Sequence, residues 1–178
     1  DGWSFYVPQG VIISLDHDQP IWFGRMQDSK GAKVTTFLKD ENILPYPEDL
    51  IQAPPKHPYD YLTSFLKSKK WDNKIIGVEM DSYYYSAECH TRLVNQCPNA
   101  TFHDAHLLVN WVRLIKSEDE IQYMKDASCL VELGMQRAYD SIKPGVRQNE
   151  VAGNIQQALL GGNNEMGGEY SGLTIILA

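Results

Sequence analysis

The stretch Arg113-Leu114-Ile115-Lys116-Ser117-Glu118-Asp119-Glu120 decides how this chain divides. Ser117 followed three residues later by Glu120 spells a capping box. The serine oxygen accepts from an N–H of the first helical turn, and the glutamate reaches back to the Ser117 N–H. Glu118, Asp119 and Glu120 crowd that turn, where the positive end of the helix dipole favours acids. Ile121, Met124, Ser128, Val131, Met135, Ala138 and Ile142 then recur at three- and four-residue steps, one face of a long helix. Pro144-Gly145 stops it. Everything before Leu114 reads as one alternating α/β unit, and everything after Ser117 as the start of another.

Upstream, residues 11–15 and 21–24 are β-prone runs around Asp16-His17-Asp18-Gln19-Pro20, which predicts a hairpin. Asp28-Ser29-Lys30-Gly31 reads as a loop, and residues 42–47 as extended chain. A helix starts near Pro58, a residue suited to the first turn, and carries Tyr61, Leu62, Phe65 and Leu66. Residues 74–80 (KIIGVEM) form an apolar run typical of a buried parallel strand. Ser82 is placed to cap a helix carrying Tyr84, Cys89, Leu93 and Val94. Residues 100–104 read as a strand and 105–112 as a short helix. Beyond Pro144-Gly145 a helix over 148–160 turns Val151, Ile155, Ala158 and Leu159 inward, and 170–177 reads as a strand. This order predicts a small α/β domain with a mixed sheet over 1–112, and the beginning of a further domain over 113–178.

A chain of 178 residues supports one or two domains. Its net charge of -7 argues against a nucleic-acid footprint, which needs clustered basic charge. No apolar run is long enough to span a bilayer. Neither nucleic acid nor membrane is therefore expected as a partner. Cys89, Cys97 and Cys129 form no CxxC pair, and no secretory leader opens the chain, so reduced thiols and a cytoplasmic location are expected.

Candidate chemistry is sparse. His103-Asp104-Ala105-His106 is a tight histidine pair without a third ligand at a usual spacing, so it reads as surface or capping histidines and no metal is assigned. GxSxG and HExxH are absent, and no cofactor is expected within this segment. Cys89 reads as core, because thiolate activation needs cationic neighbours. Two groupings remain. Trp3-Ser4-Phe5-Tyr6 and Trp22-Phe23-Gly24-Arg25 put aromatic faces near a guanidinium, which suits a small ligand bearing both a cation and a carboxylate. Strand core plus one surface arginine is the plain alternative. Glu79-Met80-Asp81 with Tyr83-Tyr84-Tyr85 lies at the end of a predicted strand, where open α/β sheets bind ligands. A capping turn with a packed tyrosine is the plain alternative there.

Residues 113–121 (RLIKSEDEI) resemble the R-x-I-K-S-x-x-E-I linker of the creatinase, prolidase and Xaa-Pro aminopeptidase family. Ile142-Lys143-Pro144-Gly145-Val146 with Asn149-Glu150-Val151-Ala152 resembles its next segment, and Ile76-Gly77-Val78-Glu79 its IGxE strand. Within the family, residues 1–7 (DGWSFYV), 31–36 (GAKVTT) and 167–172 (GGEYSG) look most like the ectoine hydrolase branch, with creatinase and Xaa-Pro dipeptidases as alternatives.

The resemblance implies a creatinase-like N-terminal α/β domain followed by the first helices and strand of a truncated pita-bread domain. It implies a C–N bond hydrolase acting on a small zwitterion, and a homodimer in which the N-terminal domain helps close the neighbouring active site. Arg25 or Lys33 would hold the substrate carboxylate, and Trp3 or Phe5 would stack on its amidinium. The family's opening strand and helix would precede Asp1. Its catalytic residues, and the ligands of any divalent metal, would follow Ala178, so the segment by itself is expected to be inactive. A free dimerisation or ligand-gating module is the non-enzymatic alternative.

Overall fold

The computed structural model describes residues 7–168. Trp3, Phe5 and the strand expected over 170–177 lie outside the described residues. The chain forms two compact units, Asp1–Val109 and Asn110–Ala178.

In the first unit, β1 (Gly10–Ile12) and β2 (Ile21–Arg25) make the expected antiparallel hairpin, with Ile12 opposite Ile21. Ser14 closes its turn: its carbonyl accepts from the His17 N–H and its Oγ from the Asp16 N–H. β3 (Ile43–Tyr46) runs parallel to β2, so the three strands form a mixed sheet in the order β1-β2-β3. Two parallel strands cannot be joined by a tight turn and need a crossover. Helix α1 (Met26–Thr35) supplies it, where residues 28–31 had the composition of a loop. Ser29 Oγ donates to the Met26 carbonyl at 2.7 Å, and Ser29 and Ala32 are the residues that α1 buries. Tertiary demand thus overrides a weak local preference.

Helix α2 (Pro58–Ser68) starts with Pro58 in its first turn and buries Tyr59, Leu62, Thr63 and Leu66. Next come β4 (Ile75–Val78), α3 (Ala87–Gln96) and β5 (Thr101–Asp104). β4 and β5 form a parallel pair with Ile75 opposite Thr101. Ser86, not Ser82, caps α3, its Oγ accepting from the Cys89 N–H. Ser82 instead closes a tight turn by accepting from the Tyr85 N–H. The expectation that the KIIGVEM strand is buried holds for Val78 but fails for Ile75, which is 77% exposed. β4 is bonded on its β5 side alone among the described residues.

The core of this unit sits between β2–β3 and the α2–α3 pair. The Phe23 ring lies 5.1 Å from Tyr46 and meets Tyr59 edge-on at 5.9 Å, arrangements worth about 0.5–1.5 kcal/mol beyond area burial. Leu62, Leu66, Trp71, Cys89 and Leu93 complete it. Each fully buried leucine contributes about 1.5–3 kcal/mol.

Helix α4 (Leu108–Val112) spans the change from the first unit to the second. In the second unit, α5 (Glu118–Ser141) carries the expected capping box. Ser117 Oγ accepts from the Glu120 N–H at 3.2 Å, and Glu120 Oε2 accepts from the Ser117 N–H at 2.8 Å. Helix α6 (Gln148–Gly161) packs on it through Val151, Ile155 and Leu159 against Ala138. Gly134 lets the two helices approach: a Cβ there would lie 2.7 Å from Leu159 Cδ2. Of the apolar face predicted for α5, Ala138 is buried, whereas Ile121, Met124, Val131 and Met135 are exposed.

Candidate substrate-binding site

The parallel pairing of β2 with β3 brings their C-terminal ends side by side, with Arg25 opposite Tyr46. Ligands of open α/β sheets bind outside such ends. Arg25 is the last residue of β2 and the N-cap of α1. Its side chain is only 15% exposed. Nε donates to Asp28 Oδ2 at 2.9 Å and Nη2 to Asp28 Oδ1 at 3.3 Å, a fork-to-carboxylate pair that fixes the plane of the guanidinium.

Tyr46 is fully buried and donates its hydroxyl hydrogen to the Pro8 carbonyl at 2.8 Å. Burial pushes this phenol well above its ordinary value; Asp28 adds to the shift and Arg25 opposes it. Tyr46 is therefore a neutral donor across the physiological range. Glu48 Oε1 accepts the Gln27 N–H at 2.9 Å and places an acid at the start of α1, where the dipole favours it. The arrangement orients the Arg25 guanidinium through Asp28 and sets a second carboxylate, Glu48, against the first turn of α1.

Lys33 does not join this cluster. It lies eight residues further along, about 12 Å by helical rise, and is exposed, with Nζ 2.7 Å from Asp40 Oδ2. Trp3 and Phe5 lie outside the described residues. Asp28, Tyr46 and Glu48 carry no mark in the sequence that links them to Arg25. The Arg25–Asp28 pair has helical i,i+3 spacing, but that signal shows only once residues 26–35 are read as a helix.

At the end of β4, the second grouping forms turns and packing contacts. Asp104 Oδ1 accepts from the His106 N–H at 2.9 Å and from the Met80 N–H at 3.4 Å. His106 Nδ1 stands 4.0 Å from Asp81 Oδ2. The Tyr85 hydroxyl is 2.8 Å from His90 Nδ1, and its ring packs against Tyr59. Burial pushes the Cys89 thiol up, which disfavours a thiolate. Among the described residues no three His, Cys, Asp or Glu side chains converge as a metal ion requires, so no step through a metal is assigned to them. No helix among the described residues is long and apolar enough to cross a membrane.

Residues 4–115 match the family model of the creatinase/prolidase N-terminal domain. Over 168 residues the chain is 45% identical to an uncharacterized hydrolase/peptidase of Sinorhizobium fredii, covering 94% of this chain and 43% of that protein. Over 183 residues it is 38% identical to the ectoine hydrolase of Halomonas elongata, covering 99% of this chain and 46% of that enzyme. Among solved structures, an X-Pro aminopeptidase of Thermotoga maritima superposes with a TM-score of 0.65 at 18% identity, over 85% of this chain and 37% of that one. That likeness shows the fold. The chain thus spans less than half the length of the relatives it matches. With a mixed-sheet α/β domain joined by a capped linker to a helix pair, and with residues 4–115 matching its N-terminal domain, this chain belongs to the creatinase/prolidase family.

Proposed function

We propose that these residues are the N-terminal part of a hydrolase that opens a C–N bond of a small zwitterion, with ectoine as the substrate. The observation that carries this reading is the 38% identity to an ectoine hydrolase across 99% of the chain. In this reading, Arg25 takes the substrate carboxylate, since its guanidinium is already oriented by Asp28 at the strand ends. Lys33 contributes charge at longer range, and Trp3 or Phe5 stacks on the amidinium. The domain does this work at the active site of a partner subunit in a homodimer.

Incubating the natural full-length protein with ectoine, creatine and Xaa-Pro dipeptides, and following products by NMR, tests the reading. Ring opening of ectoine with addition of one water, at a kcat/KM at least tenfold above that for the other two, is the expected result. The 178-residue chain alone should turn over none of them. Preferential cleavage of Xaa-Pro bonds or of creatine by the full-length protein would overturn the ectoine reading.

A further inference from the structure

The sequence itself sets Asp28 against Arg25. Arg25 is the N-cap of α1 and Asp28 stands in the first turn, so their i,i+3 spacing brings the carboxylate to the guanidinium. The two side chains are only 15% and 31% exposed, so solvent and salt screen the pair less than an open surface pair. The acid also holds the better position. It lies at the positive end of the α1 dipole, which favours its charge and opposes that of a guanidinium. Tyr46 registers the balance from across the strand pair. Asp28 pushes its phenol up more than Arg25 draws it down, and Glu48 adds to the push. At the Tyr46 hydroxyl the combined field of these three charged groups is negative, although one of them is an arginine.

We propose that Asp28 is a specificity-determining residue, whose charge makes the Arg25 anchor accept a carboxylate only from a ligand that carries a cation close to it. The proposal rests on the reading of Arg25 as the carboxylate anchor and adds the rule by which that anchor chooses. A lone arginine would take any carboxylate, and a simple anion best of all. Asp28 changes this, because it offsets the guanidinium charge at short range while fixing the plane of the group. A ligand carboxylate on the same guanidinium comes within about 8–10 Å of Asp28, the screening length at ordinary ionic strength, so the two acids repel. A net anion brings nothing to offset that repulsion. Lys33 does not supply the missing charge, being exposed and paired with Asp40. A zwitterion brings its own cation into the negative field and is attracted where the anion is repelled. Selectivity of this kind comes from repulsion built against the wrong ligand as much as from attraction to the right one. The ligand class that fits is a compact zwitterion, with carboxylate and cation near enough to enter the same part-buried corner.

Calorimetric titration of the natural full-length protein with pipecolate and cyclohexanecarboxylate tests this. The two share a six-membered ring and a carboxylate, neither has a bond to hydrolyse, and only pipecolate carries a cation. The parent should hold pipecolate tighter by about tenfold, one decade. Asp28→Asn keeps an oxygen that can accept from Arg25 but removes the charge. It should tighten cyclohexanecarboxylate by about tenfold and leave pipecolate within about threefold, so that the preference is lost. Asp28→Glu, which restores the charge, should restore the preference. A misfolded variant cannot counterfeit a gain of affinity, and Asp28→Ser repeats the loss of charge with a smaller side chain. A parent that holds both ligands equally, or neither, would overturn the proposal. So would Asp28→Asn and Asp28→Ser proteins that keep the parent's preference. Arg25→Ala tells the two failures apart. If it weakens both ligands while the Asp28 variants keep the preference, the anchor stands and only the role of Asp28 falls. If it weakens neither, the anchor reading falls and the proposal with it.

Discussion

Asp60 and Arg92 clasp each other across α2 and α3, both carboxylate oxygens lying within 3.0 Å of one guanidinium nitrogen, Nη1. Asp60 also accepts from Gln96 Nε2 at 2.5 Å and from the His57 N–H at 2.9 Å. One carboxylate thus completes a helix cap and ties two helices together. Burial pushes its pKa up, but the hydrogen bonds from Arg92 and Gln96 outweigh that and hold it below the usual carboxylate value. Asp60→Ala is expected to cost about 1.5–3 kcal/mol, the range for hydrogen bonds to a charged group. The charge-dependent part is fully present above about pH 4, the unfolded value, and is lost as pH falls through the lower folded value. Urea midpoints of the variant and parent at pH 7 and pH 3 check both the size and the direction.

His57 titrates in a separate window. Its Nδ1 accepts from the Tyr59 N–H at 3.1 Å, a bond only the neutral ring can make. Burial first, and then the charge of Arg92, lower its pKa, while Glu88 and Asp60 pull the other way. The unfolded chain therefore binds the proton more readily. Stability contributed by this cap is complete above about pH 6.5 and declines as pH falls from there toward the lowered folded value. His57→Asn retains a side-chain cap without the titration. A stability–pH profile of that variant should be flat from pH 7.5 to 5.5, where the parent's slopes downward toward acid; parallel profiles would contradict the assignment.

Gly134 and Leu159 should show coupling with a change of sign. In the parent, Gly134→Ala drives a Cβ against Leu159 and should destabilise the helix pair by about 1–3 kcal/mol before any gain in helix propensity. In a Leu159→Ala background the obstruction is gone, and the same change should stabilise by up to about 1 kcal/mol. A double-mutant cycle by thermal denaturation measures it, and additive effects would show that the two residues do not meet.

Ligand binding should separate Arg25 from Lys33. In the full-length protein, Arg25→Ala is expected to weaken a carboxylate ligand by about one to two decades relative to its neutral amide analogue, from the loss of roughly 1.5–3 kcal/mol. Lys33 is exposed and already paired with Asp40, so Lys33→Ala should change either affinity by no more than about 0.5 kcal/mol. Calorimetric titration of both variants with the two ligands decides, because a folding defect would weaken both ligands alike.

Local chemistry was legible where a few adjacent residues fix it. The Asp16–Pro20 turn announced the hairpin, Pro58 the start of α2, and Ser117 with Glu120 the start of α5. What depends on distant chain was not. Residues 28–31 have loop composition and become helix because parallel β2 and β3 need a crossover. Ser82 and Ser86 are equally good caps as letters, and the tertiary position of Cys89 in the core selects Ser86. The periodicity of α5 told which residues share a face; it held no information on what covers that face. The candidate site was half legible for the same reason. Arg25 stood out as a charge beside aromatics, but Tyr46 comes opposite it only through the strand pairing.

Gly24 sits under the Trp22 indole so closely that a Cβ would collide with ring atoms Cζ2 and Cη2. The empty side of this glycine is in effect a mould of the tryptophan, pressed one residue before Arg25. An intrinsic fluorophore is thereby clamped at the edge of the proposed carboxylate anchor, in a half-buried setting where small changes in polarity alter emission. The protein carries its own optical probe of that corner. Spectral shifts of Trp22, isolated by replacing the other three tryptophans with phenylalanine, would register occupation of Arg25 without any added label.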